Sequence, residues 1–275
     1  MRNNIIISLL VICFSLPITA QSLTVQYLYS KHIIKDSTKI ISQNTFLNIE
    51  NDHSTFFSEA QYLSDSIITS DQKLEKKTDF KGLPRDLLGC FIVKKKLSGE
   101  VSYYSDEFGE NEYKYNEIPK FVWKISKENK EILGYKAYLA KTTYAGRNYV
   151  AYFTSQIPLQ DGPYKFLGLP GLILEIFDEQ MDHHFLATGI SNERKISIDD
   201  RIVTTKFITT TKQKFVEMRK NHIQAPLRRM FELMDNTQVY EKKDANGNMI
   251  DIKKVFSETQ RKMINEYKKE NKIEL

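Results

Sequence analysis

Apolar and aromatic residues alternate with polar ones in short runs through most of the chain up to Phe207. A period of two places successive side chains on opposite faces of a strand. On that basis strands are predicted at Leu23–Tyr29, Asn44–Glu50 and Ser54–Ser58, the last two joined through Asn51-Asp52-His53. Glu59–Lys77 has mixed periodicity punctuated by serine and aspartate, and predicts a helix followed by a loop. Cys90–Leu97 and Glu100–Ser105 flank a Ser98-Gly99 turn, and Glu112–Ile118 alternates ahead of Pro119. A longer meander follows: Phe121–Ser126, Glu131–Thr143 and Arg147–Ser155, with turns expected at Glu128-Asn129-Lys130 and Tyr144-Ala145-Gly146. Leu172–Asp178, His184–Asn192 and a last strand over Asp199–Phe207 complete the set.

Beyond Thr211 the period lengthens. Phe215, Met218 and His222 recur at helical spacing, so Thr211–Asn236 predicts a helix, broken or kinked at Pro226. Asp244–Gly247 reads as a turn. Ser257–Asn271 opens with Ser257-Glu258-Thr259-Gln260, a capping-box sequence, and carries a narrow stripe of Met263, Ile264 and Tyr267. Strands first and helices last predict an α+β fold with a large antiparallel sheet and helices mainly C-terminal.

The N-terminus carries an address. Arg2 precedes an apolar stretch, Ile5–Leu16, and Pro17-Ile18-Thr19-Ala20 then offers a small residue for cleavage after Ala20. An apolar core of about 12 residues falls short of the ~20 that span a bilayer. Residues 1–20 are therefore expected to be a signal peptide and 21–275 a single β-rich domain, exported to the periplasm or the extracellular space. No later stretch is long and apolar enough to be a transmembrane segment of the mature chain. Cys13 follows Ile12, where a lipoprotein would need a small residue. Cys90 alone would remain, so no intramolecular disulfide can form, and its setting in Leu87–Val93 predicts a buried, inert thiol.

Charge changes the picture little. Forty basic and 35 acidic residues give a net charge of +5, which falls to about +4 when Arg2 leaves with the leader. That balance is modest and mixed in sign, so no nucleic acid partner is expected. Lys94-Lys95-Lys96 reads as a solvated strand edge that discourages edge-to-edge pairing, and Arg228-Arg229 as a solvated helix face.

The densest signal is GPYKFLGLPGLILEIFD, Gly162 to Asp178. Gly162, Pro163, Gly168, Pro170 and Gly171 require the chain to bend more than once, because glycine reaches positive φ while proline fixes φ and removes a donor. The strand from Leu172 is apolar on nearly both faces and is expected to be central. Glu175 is the exception, and is expected to be either edge-exposed or held by a basic or hydroxyl partner such as Arg147 or Tyr149 on a neighbouring strand. The run Gly168-Leu169-Pro170-Gly171-Leu172-Ile173 resembles the signature of the GLPGLI family, secreted and largely uncharacterised proteins of Gram-negative bacteria. Trp123, Ile132–Lys136, Gly146-Arg147, Ala151–Thr154, Ile157-Pro158, Gly162-Pro163 and Lys165-Phe166 extend that resemblance over roughly residues 120–195. Ala137 and Tyr152 depart from it, where members often carry Cys and Trp. The resemblance supplies no catalytic residues. A long meander with terminal helices also resembles half-barrel envelope carriers of the lipoprotein-sorting kind, which implies a curved sheet.

Chemistry-bearing constellations are few. Asp182-His183-His184, with Asp178 and Glu179 just upstream, is the candidate metal site, although neighbouring residues on a strand face opposite ways. His32, His53 and His222 are isolated, and Asp199-Asp200 reads as a turn. The chain has no GxSxG, HExxH, phosphate loop or dinucleotide fingerprint, and no cofactor is expected. The expected function is that of a noncatalytic envelope protein holding an apolar or peptide-like ligand, or an outer-membrane partner, on a curved sheet. Metal handling around Asp182–His184 and a hydrolase with a dispersed active site are the alternatives.

Overall fold

The computed structural model describes residues 22–33, 38–107, 111–193 and 196–221, together with 242–243, 249–250, 258, 261–262 and 265. The expected signal peptide, Pro226, Arg228-Arg229, the turn expected at Asp244–Gly247 and most of Ser257–Asn271 lie outside the described residues.

Among the described residues, twelve strands form one sheet. In chain order they are β1 (Leu23–His32), β2 (Ile40–Ile49), β3 (His53–Ser58), β4 (Phe91–Lys95), β5 (Val101–Ser105), β6 (Tyr113–Glu117), β7 (Lys124–Ile132), β8 (Tyr135–Tyr144), β9 (Arg147–Thr154), β10 (Leu172–Asp178), β11 (His183–Ser191) and β12 (Ile208–Thr209). Their spatial order is β12-β6-β5-β4-β3-β2-β1-β11-β10-β9-β8-β7. All pairs are antiparallel except the two-residue β12 against β6. The short pair β13 (Lys242–Lys243) and β14 (Met249–Ile250) stands apart. Helix α1 (Glu59–Lys73) joins β3 to β4, with Ser58 as its N-cap accepting from the Gln61 N–H at 3.0 Å. Helix α2 (Asp199–Thr204) and a helix over 212–221 follow β11, so the fold is α+β as its alternation and period predict.

Curvature follows from what one loop touches. The β9–β10 connection, residues 155–171, reaches Lys94 on β4 and Tyr115 on β6, and equally Tyr144 on β8 and Tyr149 on β9. Those strands stand far apart in the sheet, and a short loop spans them only if the sheet wraps around it. On β1, Val25, Tyr27 and Tyr29 point into this concave face and are at most 1% exposed. The β6–β7 connection then crosses the mouth of the bowl, laying Phe121 on Phe166 and Tyr144 while Trp123 donates Nε1–H to Leu167 O at 2.9 Å. From the helix over 212–221, Phe215 packs on Tyr103 and Tyr115. The opposite, convex face has its own core on β2–β5, where Phe46, Phe57, Phe91 and Tyr104 are covered by Tyr62 of α1 and by Ile198, Ile202 and Phe207.

Several expectations are corrected. Asp199–Phe207 is not a strand: α2 occupies it, with Asp199 and Asp200 in the first turn, where the helix dipole favours acids. The β7–β8 turn is Leu133-Gly134, both at positive φ, and Glu128-Asn129-Lys130 lies inside β7, where the ladder is irregular. Lys94–Lys96 is no edge, because β4 pairs with β3 on one side and β5 on the other. The long edge strand is β7, whose own Lys124 and Lys127 serve the blunting role.

Cys90 is 3% exposed, and burial pushes its thiol up to about 12. The native protein should resist iodoacetamide at neutral pH and become alkylated only after unfolding in urea, as read by intact mass. Labelling of the native state at the rate of a free thiol would contradict this burial.

Candidate functional site

The Gly162–Ile173 motif is the plug of the bowl. Gly162 sits so close to Ile173 that a Cβ there would lie 2.8 Å from the isoleucine Cβ. Pro163 carries the chain into a turn closed by Phe166 N–H to Pro163 O at 3.1 Å, with Tyr164 at φ 52°. Tyr164, Lys165, Phe166 and Leu169 are all at most 1% exposed. Gly168 takes φ +89°, and Pro170 centres a tight turn in which Gly171 N–H reaches Leu169 O at 2.7 Å. Leu172 N–H and Ile173 N–H then bond back to Ile157 O and Asp161 O, tying the first two residues of β10 to the loop. β10 lies between β9 and β11 with Leu172–Ile176 fully or nearly buried, the central strand its composition predicts.

Two buried lysines fasten the plug. Lys94 of β4 ion-pairs with Asp161 and donates to Gly162 O at 2.5 Å. Burial pushes the Lys94 pKa down against the pull of Asp161. Lys165 is fully buried among the rings of Tyr103, Tyr115 and Tyr164, and bonds Tyr115 Oη at 2.9 Å and Glu117 at 2.5 Å. Glu117 also accepts from Lys212 at 2.8 Å, which ties the plug to the helix over 212–221. Sequence reasoning missed Lys94, Asp161 and Lys165 as a set. The available signal was a lysine enclosed by aromatic residues in Tyr164-Lys165-Phe166.

At the rim, the plug and the end of the β4–β5 hairpin frame an open cleft of about 300 Å³. Pro158, Leu159, Leu167 and Gly168 form one wall, and Lys94–Lys96 with Gly99 the other. Its cations are already engaged: Lys94 by Asp161, Lys95 by Glu100 at 2.8 Å, and Lys96 by Glu50 O. Carboxylates thus balance Lys94 and Lys95, whereas Lys96 meets a neutral carbonyl and keeps its charge.

Asp182, His183 and His184 stand at the start of β11 and diverge. His183 points into the bowl, its Nδ1 2.8 Å from Tyr29 Oη. His184 points to the convex face, its Nε2 2.9 Å from Glu175. Asp182 shares Arg147 with Asp178, both carboxylates at 2.8 Å from Nη1, and approaches His32 at 3.5 Å. Burial raises the Asp178 carboxyl above its ordinary value in spite of the His183 N–H and Arg147. Among the described residues no group of three or more His, Cys, Asp or Glu is arranged to hold a metal ion. Arg147 is thus the partner of Asp178 and Asp182, and Glu175 is held instead by His184 and Lys130. Burial works to raise the Glu175 carboxyl, yet its hydrogen bonds from His184 and Lys130 outweigh it and hold the pKa below its ordinary value. Among the described residues, no helix is long and apolar enough to cross a membrane.

Comparison with known proteins adds a fold and a short family match. No curated protein matches. A solved structure of PNGF-II is similar over 72% of this chain and 33% of that one, at 17% identity and a TM-score of 0.50. A second crystal form of PNGF-II aligns over 70% and 31%, at 21% identity and a TM-score of 0.48. The chain thus spans about a third of the solved chains it matches, and the likeness concerns the fold alone. A family model described as a protein of unknown function (Porph_ging) matches residues 141–175, the unit made of the end of β8, β9, the plug and the start of β10.

Proposed function

We propose that this chain is an exported envelope protein of the GLPGLI type that works noncatalytically, binding a protein or peptide partner on its outer surface. The observation that carries this reading is the plug. An apolar ligand carrier needs an open concave face, whereas here Tyr164, Phe166 and Leu169 occupy that face at no more than 1% exposure. Close-packed interiors of this kind leave recognition to the outside. The metal-handling alternative would require Asp182, His183 and His184 to abandon three separate sets of partners. Export itself rests on the Arg2–Ala20 pattern.

The test has two arms. Purified protein is titrated with a fluorescent fatty acid analogue, and the chain is expressed in its native cells with a photo-cross-linking residue at exposed Leu97, Val122 or Leu28. The expected results are no saturable probe binding and a discrete covalent adduct with one envelope protein. Saturable uptake of the probe, with no adduct from any position, would overturn the proposal.

A further inference from the structure

The two halves of the convex face are treated differently. Over β2–β5 it carries Phe46, Phe57, Phe91 and Tyr104 beneath α1 and residues 196–207. Over β9, β10, β11 and β1 the same face continues as a cross-strand row of Tyr152, Glu175, Leu186 and Leu28. Phe177 and His184 pair in the adjacent row. Leu28 is 37% exposed there, and Tyr152, Phe177 and Leu186 are half-buried. Neither α1 nor α2 packs closely on these four strands.

Charge distinguishes it further. Glu175, the acid within the row, is neutralised by Lys130 and hydrogen-bonded to His184, and Lys130 also lies over the Tyr152 ring at 4.1 Å. On the flank, Lys124 and Lys141 are cross-strand partners, both exposed, and no ion pair is recorded for either among the described residues. Like charges directly opposite each other repel, so an anion placed between them relieves a standing cost. An apolar, aromatic centre with a basic flank has the composition of a recognition surface.

We infer that this half of the convex face docks an acidic, amphipathic segment of a protein partner. The inference rests on the surface-binding reading and names its face and its chemistry. The apolar side of the segment covers Leu28, Leu186, Tyr152 and Phe177 as α1 covers the other half, and its carboxylates meet Lys124 and Lys141. Such pairs contribute most to partner choice and association rate, and are weakened by salt.

A fluorescein-labelled helical peptide of Glu and Leu, its Lys/Leu counterpart and phosphatidylglycerol vesicles are titrated against the full chain. The Glu/Leu peptide should bind at least about tenfold more tightly than the Lys/Leu peptide, less so as salt rises, and about tenfold more weakly to Lys124→Glu/Lys141→Glu. Salt dependence on the unaltered protein keeps the test decisive should that variant fold poorly. Equal binding of both peptides, no binding of the Glu/Leu peptide, indifference to the two lysines, or vesicle binding through those lysines would each overturn it. Envelope adducts from Leu97 with none from Leu28 would sink this face and spare the surface-binding reading.

Discussion

Gly171→Val should cost roughly 3 kcal/mol or more of folding stability, measured as a fall in the urea midpoint with an unchanged slope. Gly171 passes backbone to backbone against the end of β9. A Cβ built there falls against Thr154 O, with the Thr154 carbonyl carbon at 2.6 Å and Ser155 Cα at 3.0 Å, and φ stands at +153°. Neither neighbour can yield, since Thr154 pairs with Leu172 in the ladder and Leu172 N–H is spent on Ile157 O. The substitution must therefore displace either the strand entry or the plug, and both Leu169 and Leu172 are fully buried. Gly171→Ala carries the same Cβ and should take most of the loss. Gly99→Ala is the control: φ is +67° but nothing lies within 4 Å of its Cβ, so only the left-handed backbone cost of about 1 kcal/mol applies. If Gly171→Ala melts like Gly99→Ala, the close approach is not a constraint.

Much of this architecture is written in short-range pattern. Alternation locates the strands because each side of the sheet is a separate environment, and the glycines and prolines of 162–171 announce the plug because few residues tolerate its bends. What pattern cannot supply is the company a side chain keeps across the fold. Lys94 looks solvated in a run of three lysines, and its burial depends on Asp161, 67 residues on and brought over by the curvature of the sheet. Glu175 advertises a need for a partner, but which side chain answers depends on register: Lys130 and His184 share its face, while Arg147 meets Asp178 and Asp182 at the strand ends. Glu128-Asn129-Lys130 has the polarity of a turn because β7 is an edge strand bathed in solvent, and local composition does not separate those cases. Asp199-Asp200 is likewise acidic at a chain reversal or at a helix start, and only the packing of Ile198 and Ile202 against Phe91 and Tyr104 selects the helix. The candidate metal residues were legible as a cluster in sequence, whereas their divergence onto two faces of β11 follows from strand geometry that a turn could have relieved.

The Lys94–Asp161 pair provides the second large effect, and its sign depends on how many partners are removed. The two side chains are 4% and 8% exposed, so both charges have left water. Asp161→Ala abandons a buried ammonium with Gly162 O as its remaining acceptor, and Lys94→Met abandons a carboxylate that retains the Gly162 N–H at 2.8 Å. Each should lose about 3–5 kcal/mol, because an uncompensated buried charge is worse than none. Lys94→Met/Asp161→Leu removes both charges and should recover most of that loss, giving a coupling energy well outside additivity. Burial already holds the Lys94 pKa below its ordinary 10.5. The unfolded chain therefore binds the Lys94 proton more tightly, and the stability of Asp161→Ala should climb with pH as that range is approached from below. A double variant as unstable as the sum of the singles, with no alkaline recovery in Asp161→Ala, would mean that the plug is held by its apolar residues alone. The pair would then be a passenger in the seam between β4 and the motif loop.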